Sequence, residues 1–209
     1  MPEDKQGLAR LIASMGLRDP RIAEAFEAVD RAGFVPVGLL GDAYLDRPIP
    51  IPESQTTSQP SLIALMIDAA APGQADRVLE VGTGYGFQTA LLARLAGEVV
   101  SVERHASLAA TARGNLERNG ATNASVYVGD GWKGYEQRAP YDAIVVSAAA
   151  SEVPEALIRQ LAEGGRLVIP VSGPRGDDVH LYVKTKGVVE DRRVVSPARF
   201  VPLVRGDGS

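Results

Sequence analysis

The stretch Arg77-Val-Leu-Glu-Val-Gly-Thr-Gly-Tyr-Gly86 constrains this chain more than any other. Val78, Leu79 and Val81 form a short apolar, β-prone run. Gly82, Gly84 and Gly86 then bring the backbone round into a helical pattern that begins near Phe87. A strand therefore feeds a glycine turn, which feeds a helix. Alternate glycines let main chain approach a bound molecule without Cβ interference, and a helix N-terminus offers unpaired N–H groups at the same place. Tight β-to-α connections also use glycine for packing alone, so the turn by itself names no ligand.

Strands and helices alternate from Arg77 onward. The pattern predicts strand Val78–Val81, helix Phe87–Ala96, strand Val99–Val102, helix Leu108–Arg118, and strands Ser125–Val128 and Tyr141–Ser147. Helix Glu155–Ala162 and strand Arg166–Val171 follow. Near-continuous apolar strands such as Ala143–Val146 belong to a parallel sheet covered on both faces. The expected fold is thus α/β and Rossmann-like, a doubly wound, mostly parallel sheet. Val179–Thr185 and Val188–Val195, joined at Lys186-Gly187, read as an antiparallel C-terminal hairpin, followed by Arg199–Leu203 and a polar tail.

Upstream, Leu8, Leu11, Ile12 and Met15, and then Ile22, Ala25, Phe26 and Val29, recur at helical spacing. The proline-rich residues 33–52 should run extended as an arm. Ser58 with Pro60 suits the start of a third helix whose apolar face is Leu62, Leu65, Met66 and Ala69. One domain is expected over residues 1–209. Residues 1–76 make N-terminal helices and a substrate-side arm, 77–172 a cofactor-binding core, and 173–209 the hairpin and tail.

Composition removes several chemistries. The charge of −4, from 22 basic and 26 acidic residues of scattered sign, lacks the basic stripe of a nucleic-acid binder. The absence of cysteine excludes thiolate nucleophiles and thiolate metal sites. His105 and His180, the two histidines, are far apart in sequence and suggest neither a metal site nor a Ser-His-Asp triad. No run approaches bilayer length, and the start lacks a basic segment followed by an apolar one. The expectation is a cytoplasmic monomer with no membrane, nucleic-acid or metal partner.

In an open α/β sheet, ligands bind beyond the carboxyl ends of the strands. The first core strand ends in the glycine turn. The second ends at Glu103, 21 positions after Gly82, a separation at which an acidic side chain accepts hydrogen bonds from a ribose diol. The third ends in Gly129-Asp130-Gly131. Together these point to a nucleoside ligand. A dinucleotide needs Gly-x-Gly-x-x-Gly for its pyrophosphate, whereas this turn has Gly-x-Gly-x-Gly preceded by Glu80. A carboxylate there suits a cationic tail, and S-adenosyl-L-methionine carries one.

Val78 to Gly86 resembles motif I of class I S-adenosylmethionine-dependent methyltransferases. Over almost its whole length the chain resembles the protein-L-isoaspartate O-methyltransferases. The matches are Tyr44-Leu-Asp-Arg-Pro-Ile-Pro50, Gln55-Thr-Thr-Ser-Gln-Pro60, Gly129-Asp-Gly131, Ala139-Pro-Tyr-Asp142, Gly164-Gly-Arg166 with Pro170-Val171, and Phe200-Val-Pro-Leu203. The resemblance implies methyl transfer to the carboxylate of L-isoaspartyl, and also D-aspartyl, residues in damaged proteins and peptides, which initiates repair. It implies the product S-adenosyl-L-homocysteine, and puts the methionine portion on Gly82 and Gly84, ribose on Glu103 and adenine beside Asp130 and Gly131. Thr83 and Arg104 are expected in the same lining. It makes Ser58 the active-site serine, with Gln55, Thr56, Thr57, Val201, Pro202 and Leu203 as peptide-binding candidates. The chain departs from the family's pattern at Ser54, Thr57, Tyr85, Phe87 and Ser151. These departures leave room for a dedicated carboxylate methyltransferase acting on one peptide or pathway intermediate. A non-catalytic S-adenosylmethionine-binding module is the reading from another class.

The residues also permit the implied chemistry. An isoaspartyl carboxylate is ionised at neutral pH, so no general base is required, and Ser58 is assigned the orienting hydrogen bond. Asn119-Gly120 and Asp207-Gly208 are sequences at which succinimide forms easily, and slow self-methylation near Asp207 is expected.

Overall fold

The computed structural model describes residues 4–174 and 176–206, apart from the side chains of residues 191 and 192. The Asp207-Gly208 pair lies outside the described residues. Two amphipathic helices open the chain, α1 (Lys5–Ala13) and α2 (Arg21–Ala28). Asp4 caps α1 by accepting the N–H of Gly7 at 2.6 Å. Both helices bury the faces their spacing predicts, including Leu8, Ile12, Ile22 and Phe26.

The arm is less extended than expected. Two 3-10 turns, Arg31–Phe34 and Val37–Asp42, interrupt it. Asp30 starts the first by accepting the N–H of Ala32 at 3.0 Å, a local cap that the proline count hid. The arm then forms a small antiparallel hairpin of β1 (Ile49–Ile51) and β2 (Gln55–Thr57).

Helix α3 (Pro60–Ala70) follows. Ser58 is not its cap. Gln59 takes that position without a side-chain cap, and the N–H of Ser61, which has no partner within the helix, is met instead by Asp46 Oδ1 at 2.8 Å. The helix thus begins on a carboxylate from the arm, 15 residues upstream.

The main sheet contains β3 (Arg77–Val81), β4 (Glu98–Glu103), β5 (Ala124–Val128), β6 (Tyr141–Val146), β7 (Leu161–Gly173), β8 (Gly176–Thr185) and β9 (Val188–Ala198). Their order is β5-β4-β3-β6-β7-β8-β9, parallel from β5 to β7 and antiparallel from β7 to β9. Helices α4 (Phe87–Leu95), α5 (Ala106–Arg118) and α6 (Glu155–Gln160) connect the parallel strands. The helix expected to reach Ala162 stops at Gln160. Leu161 already pairs with Tyr141, so Glu163-Gly164-Gly165 lies inside β7.

Strand alternation divides the core into two layers. Val78, Val99, Ala143, Val145 and Val168 face α1 to α5, whereas Leu79, Val81, Val100, Val102, Ile144 and Val146 face the side of Trp132 and Leu157. The sheet order reverses between β3 and β6, which opens a crevice at their carboxyl ends. That crevice is where the glycine turn lies.

Candidate active site

Gly82, Gly84 and Gly86 all have positive φ, 94°, 56° and 92°, in a region that penalises a Cβ. The turn therefore curls as only glycine readily allows, and it forms one wall of a cleft of about 940 Å³ open to solvent. Gly131 forms part of another wall. A Cβ there would meet Val81 Cγ1 at 2.4 Å, so that backbone has closed onto the sheet.

The cleft brings together most of the residues singled out in the sequence. Gln55, Thr56 and Thr57 line it from β2, Ser58 from the residue after that strand, and Gly82, Thr83 and Gly84 from the turn. Glu103 and Arg104 line it from the end of β4, Gly131 from the β5–β6 connection, and Val201, Pro202 and Leu203 from the tail. Glu103 is 5% exposed, and its two oxygens accept the N–H groups of Gly84 at 2.8 Å and His105 at 3.0 Å. Each oxygen keeps acceptor capacity for a further partner.

Two residues are placed elsewhere. Glu80 is wholly buried and does not line the cleft. It shares the face of Val78, so strand alternation directs it under α4, where Gln88, Thr89 and Ser101 donate to it. Burial pushes its carboxyl up to about 7 against those donors, with the negative charge of Glu103 adding to the rise. Asp130 is also turned from the cleft. Its oxygens accept the N–H groups of Trp132 at 2.9 Å and of Gly206 at 2.9 Å. It starts a 3-10 turn and holds the tail, so the glycine next to it, not its carboxylate, reaches the lining.

The tail is fixed as a short added strand. Ala149 donates to Val201 O at 2.8 Å, Leu203 N donates to Ala149 O at 2.7 Å, and Trp132 Nε1 donates to Leu203 O at 2.9 Å. Phe200 and Leu203 pack on the two core layers. The β1–β2 hairpin is tethered as well, because Glu53 accepts Ser107 Oγ at 2.6 Å beside the start of α5.

The departures from the resembled pattern also have physical settings. Ser54 sits at φ 56°, a left-handed turn position where glycine is at ease. Tyr85 and Phe87 both line the cleft, with Phe87 edge-on to Phe26 at 5.7 Å. Thr57 Oγ1 accepts a hydrogen bond from Arg31 Nη2 at 3.0 Å.

Gln88, from the first turn of α4, also lines the cleft and was not anticipated. Its Nε2 donates to Glu80 and to Ser147 Oγ, both at 3.0 Å, while its buried Oε1 has no partner. Arg104 Nε is likewise buried without one. An orphan acceptor by the glycine turn, an orphan donor by Glu103 and a strand-end carboxylate fit a ligand carrying an ammonium, a carboxylate and a ribose. The polar pair Gln88-Thr89 directly after Phe87 at the helix start was the only sequence signal for it.

Sheet order, glycine turn and strand-end carboxylate together define a class I S-adenosylmethionine-dependent methyltransferase. Known proteins agree. The family model "Protein-L-isoaspartate(D-aspartate) O-methyltransferase" matches residues 3–208. The protein-L-isoaspartate O-methyltransferase of Koribacter versatilis is 48% identical over 193 residues, covering 92% of this chain and 86% of that one. A solved protein-L-isoaspartate O-methyltransferase is similar at a TM-score of 0.84 and 30% identity; the match covers 98% of this chain and 66% of that one, about two thirds of its length. A Plasmodium falciparum relative solved in complex with S-adenosyl-L-homocysteine has the same fold, at a TM-score of 0.84 and 24% identity, with 97% and 99% of the two chains covered. The chain belongs to the protein-L-isoaspartate(D-aspartate) O-methyltransferase family.

Among the described residues no helix is long and apolar enough to cross a membrane.

Proposed function

We propose that this chain methylates the carboxylate of L-isoaspartyl residues in proteins and peptides, using S-adenosyl-L-methionine, and so initiates their repair. The observation that carries this reading is that Ser58 and its neighbours on β2 share one cleft with Gly82, Gly84 and Glu103. An acceptor strip and a cofactor turn thus face the same space.

When bound, S-adenosyl-L-methionine supplies an electrophilic methyl group. Gly82, Thr83 and Gly84 would hold its methionine portion, with Gln88 Oε1 accepting from the ammonium. Glu103 would accept from the ribose hydroxyls, and Gly131 would lie beside the adenine. Glu80 acts one bond behind, through Gln88. Ser58 donates to the acceptor carboxylate and orients it. That carboxylate is already ionised, so the chain needs to move no proton. The remaining task is alignment and exclusion of water, to which the hairpin, the turn and the tail contribute by walling the cleft on three sides.

The peptide reaches Ser58 through a second groove. Thr56, Ser58, Ser147 and Val201 belong to both spaces, and Leu62, Leu65, Pro197 and Phe200 extend the second one outward. Its lining mixes polar groups such as Gln59, Ser61 and Ser196 with apolar ones, which suits an acceptor defined by its backbone and not by its neighbours.

The test is transfer of labelled methyl to an isoaspartyl peptide, to its aspartyl twin, and without peptide. Label on the isoaspartyl peptide alone is expected. Equal labelling of both peptides, or binding of S-adenosyl-L-homocysteine with no transfer to either, would overturn the reading.

A further inference from the structure

Arg31 has the largest wholly buried side chain among the described residues, at 1% exposure. Burying a guanidinium is costly unless its charge and donors are met. Its bonding partners here are neutral. Nη1 donates to the carbonyls of Ala43 at 3.2 Å and Leu45 at 2.9 Å. Nη2 donates to the carbonyl of Arg47 at 3.1 Å, the hydroxyl of Thr57 at 3.0 Å and the carbonyl of Ser58 at 3.1 Å. The planar group also lies 5.7 Å from the centroid of Phe87, the first residue of α4 after the glycine turn. One rigid fork therefore joins the arm, the acceptor strip and the helix that follows the cofactor turn.

This is more than a core requires. An apolar side chain of similar volume would fill the space without the desolvation cost, whereas a fork with five hydrogen bonds fixes the directions of four carbonyls. One of those carbonyls is that of Ser58. Burial lowers the guanidinium's pKa to about 10, with the nearby charge of Asp46 opposing the fall, so the group still carries its charge at neutral pH.

We infer that Arg31 is a positioning residue for the methyl acceptor: it holds Thr57 and Ser58 against the cofactor side of the cleft, and so sets the direction of the Ser58 hydroxyl. The inference rests on the proposed role of Ser58. Arg31 itself does not line the cleft, and its effect passes through the strip.

Thr57→Val removes one of the five bonds at nearly constant volume and leaves the other four. We expect kcat on an isoaspartyl peptide to fall about three- to tenfold, as for loss of one hydrogen bond, with affinity for S-adenosyl-L-homocysteine within about twofold of the parent. Thr57→Ser, which keeps the hydroxyl, should restore most of the rate. Arg31→Lys, a point charge without the fork, should lose about tenfold or more in kcat, again with cofactor affinity largely kept. Amide hydrogen exchange over residues 55–58 should quicken in Thr57→Val and Arg31→Lys and not in Thr57→Ser. Unchanged kcat and unchanged exchange in folded Thr57→Val would overturn the inference. So would losses that follow the melting temperature and affect cofactor affinity and kcat alike. A parent protein that methylates no isoaspartyl peptide would instead refute the function, and the exchange comparison would still decide whether Arg31 holds the strip.

Discussion

The N–H of Gly84 donates to Glu103 Oε2 at 2.8 Å, so the carboxylate that ends β4 also fixes the middle of the glycine turn. Turn and carboxylate form a single unit. Glu103→Ala would leave the N–H groups of Gly84 and His105 unpaired as well as removing the proposed ribose partner. Losing the ligand's hydrogen bond to a charged group costs about 1.5–3 kcal/mol, so affinity for S-adenosyl-L-homocysteine should fall about 10- to 100-fold by titration calorimetry. A change below twofold would remove Glu103 from the cofactor site.

Ser58→Ala separates catalysis from capping. Because α3 starts on Asp46 and not on Ser58, the variant should keep its melting temperature. Loss of one hydrogen bond to a carboxylate, about 1.5–3 kcal/mol, should lower kcat roughly 10- to 100-fold. A folded variant with parental turnover would deny Ser58 its role.

Asp46→Ala should show the opposite pattern in stability. It frees the N–H of Ser61 and the amide of Gln59, which Asp46 Oδ2 accepts at 3.0 Å. Denaturant unfolding should give about 1 kcal/mol less stability, the usual cost of a lost N-cap. An unchanged midpoint would show that another group meets the helix start.

Glu80 gives a pH dependence of defined sign. Its carboxyl lies near 7 in the folded protein against 4.5 for the free group, so the folded state holds its proton longer. Its contribution is therefore fully present below about pH 4.5 and is lost as pH rises through about 7, a change on the order of 3 kcal/mol. Glu80→Gln mimics the protonated form. Measured by urea unfolding at pH 4.5 and 8, the variant should gain stability relative to the parent as pH rises. A constant difference across that range would contradict the shift.

Much of the architecture was legible along the chain. Near-continuous apolar runs with helices between them announced a parallel sheet, and the glycines at 82, 84 and 86 announced a backbone that adopts positive φ. These signals are local, because a strand's face and a turn's dihedral demands are written in consecutive residues. Element ends were less legible. The start of β7 at Leu161 depends on pairing with Tyr141, a partner that Glu163-Gly164-Gly165 does not disclose.

By itself, then, the sequence determined the fold class, the order of elements, the glycine turn and the strip around Ser58. Only the tertiary structure decided which polar side chains face the cleft. Glu80 and Gln88 are eight residues apart, and alternation on β3 sent the first inward while the helix start brought the second to the lining. Asp130 was drawn to Gly206, 76 residues away, and Arg31 to Ser58, 27 residues away. A buried polar group must find a partner wherever folding supplies one, and that choice leaves no trace in the neighbouring sequence.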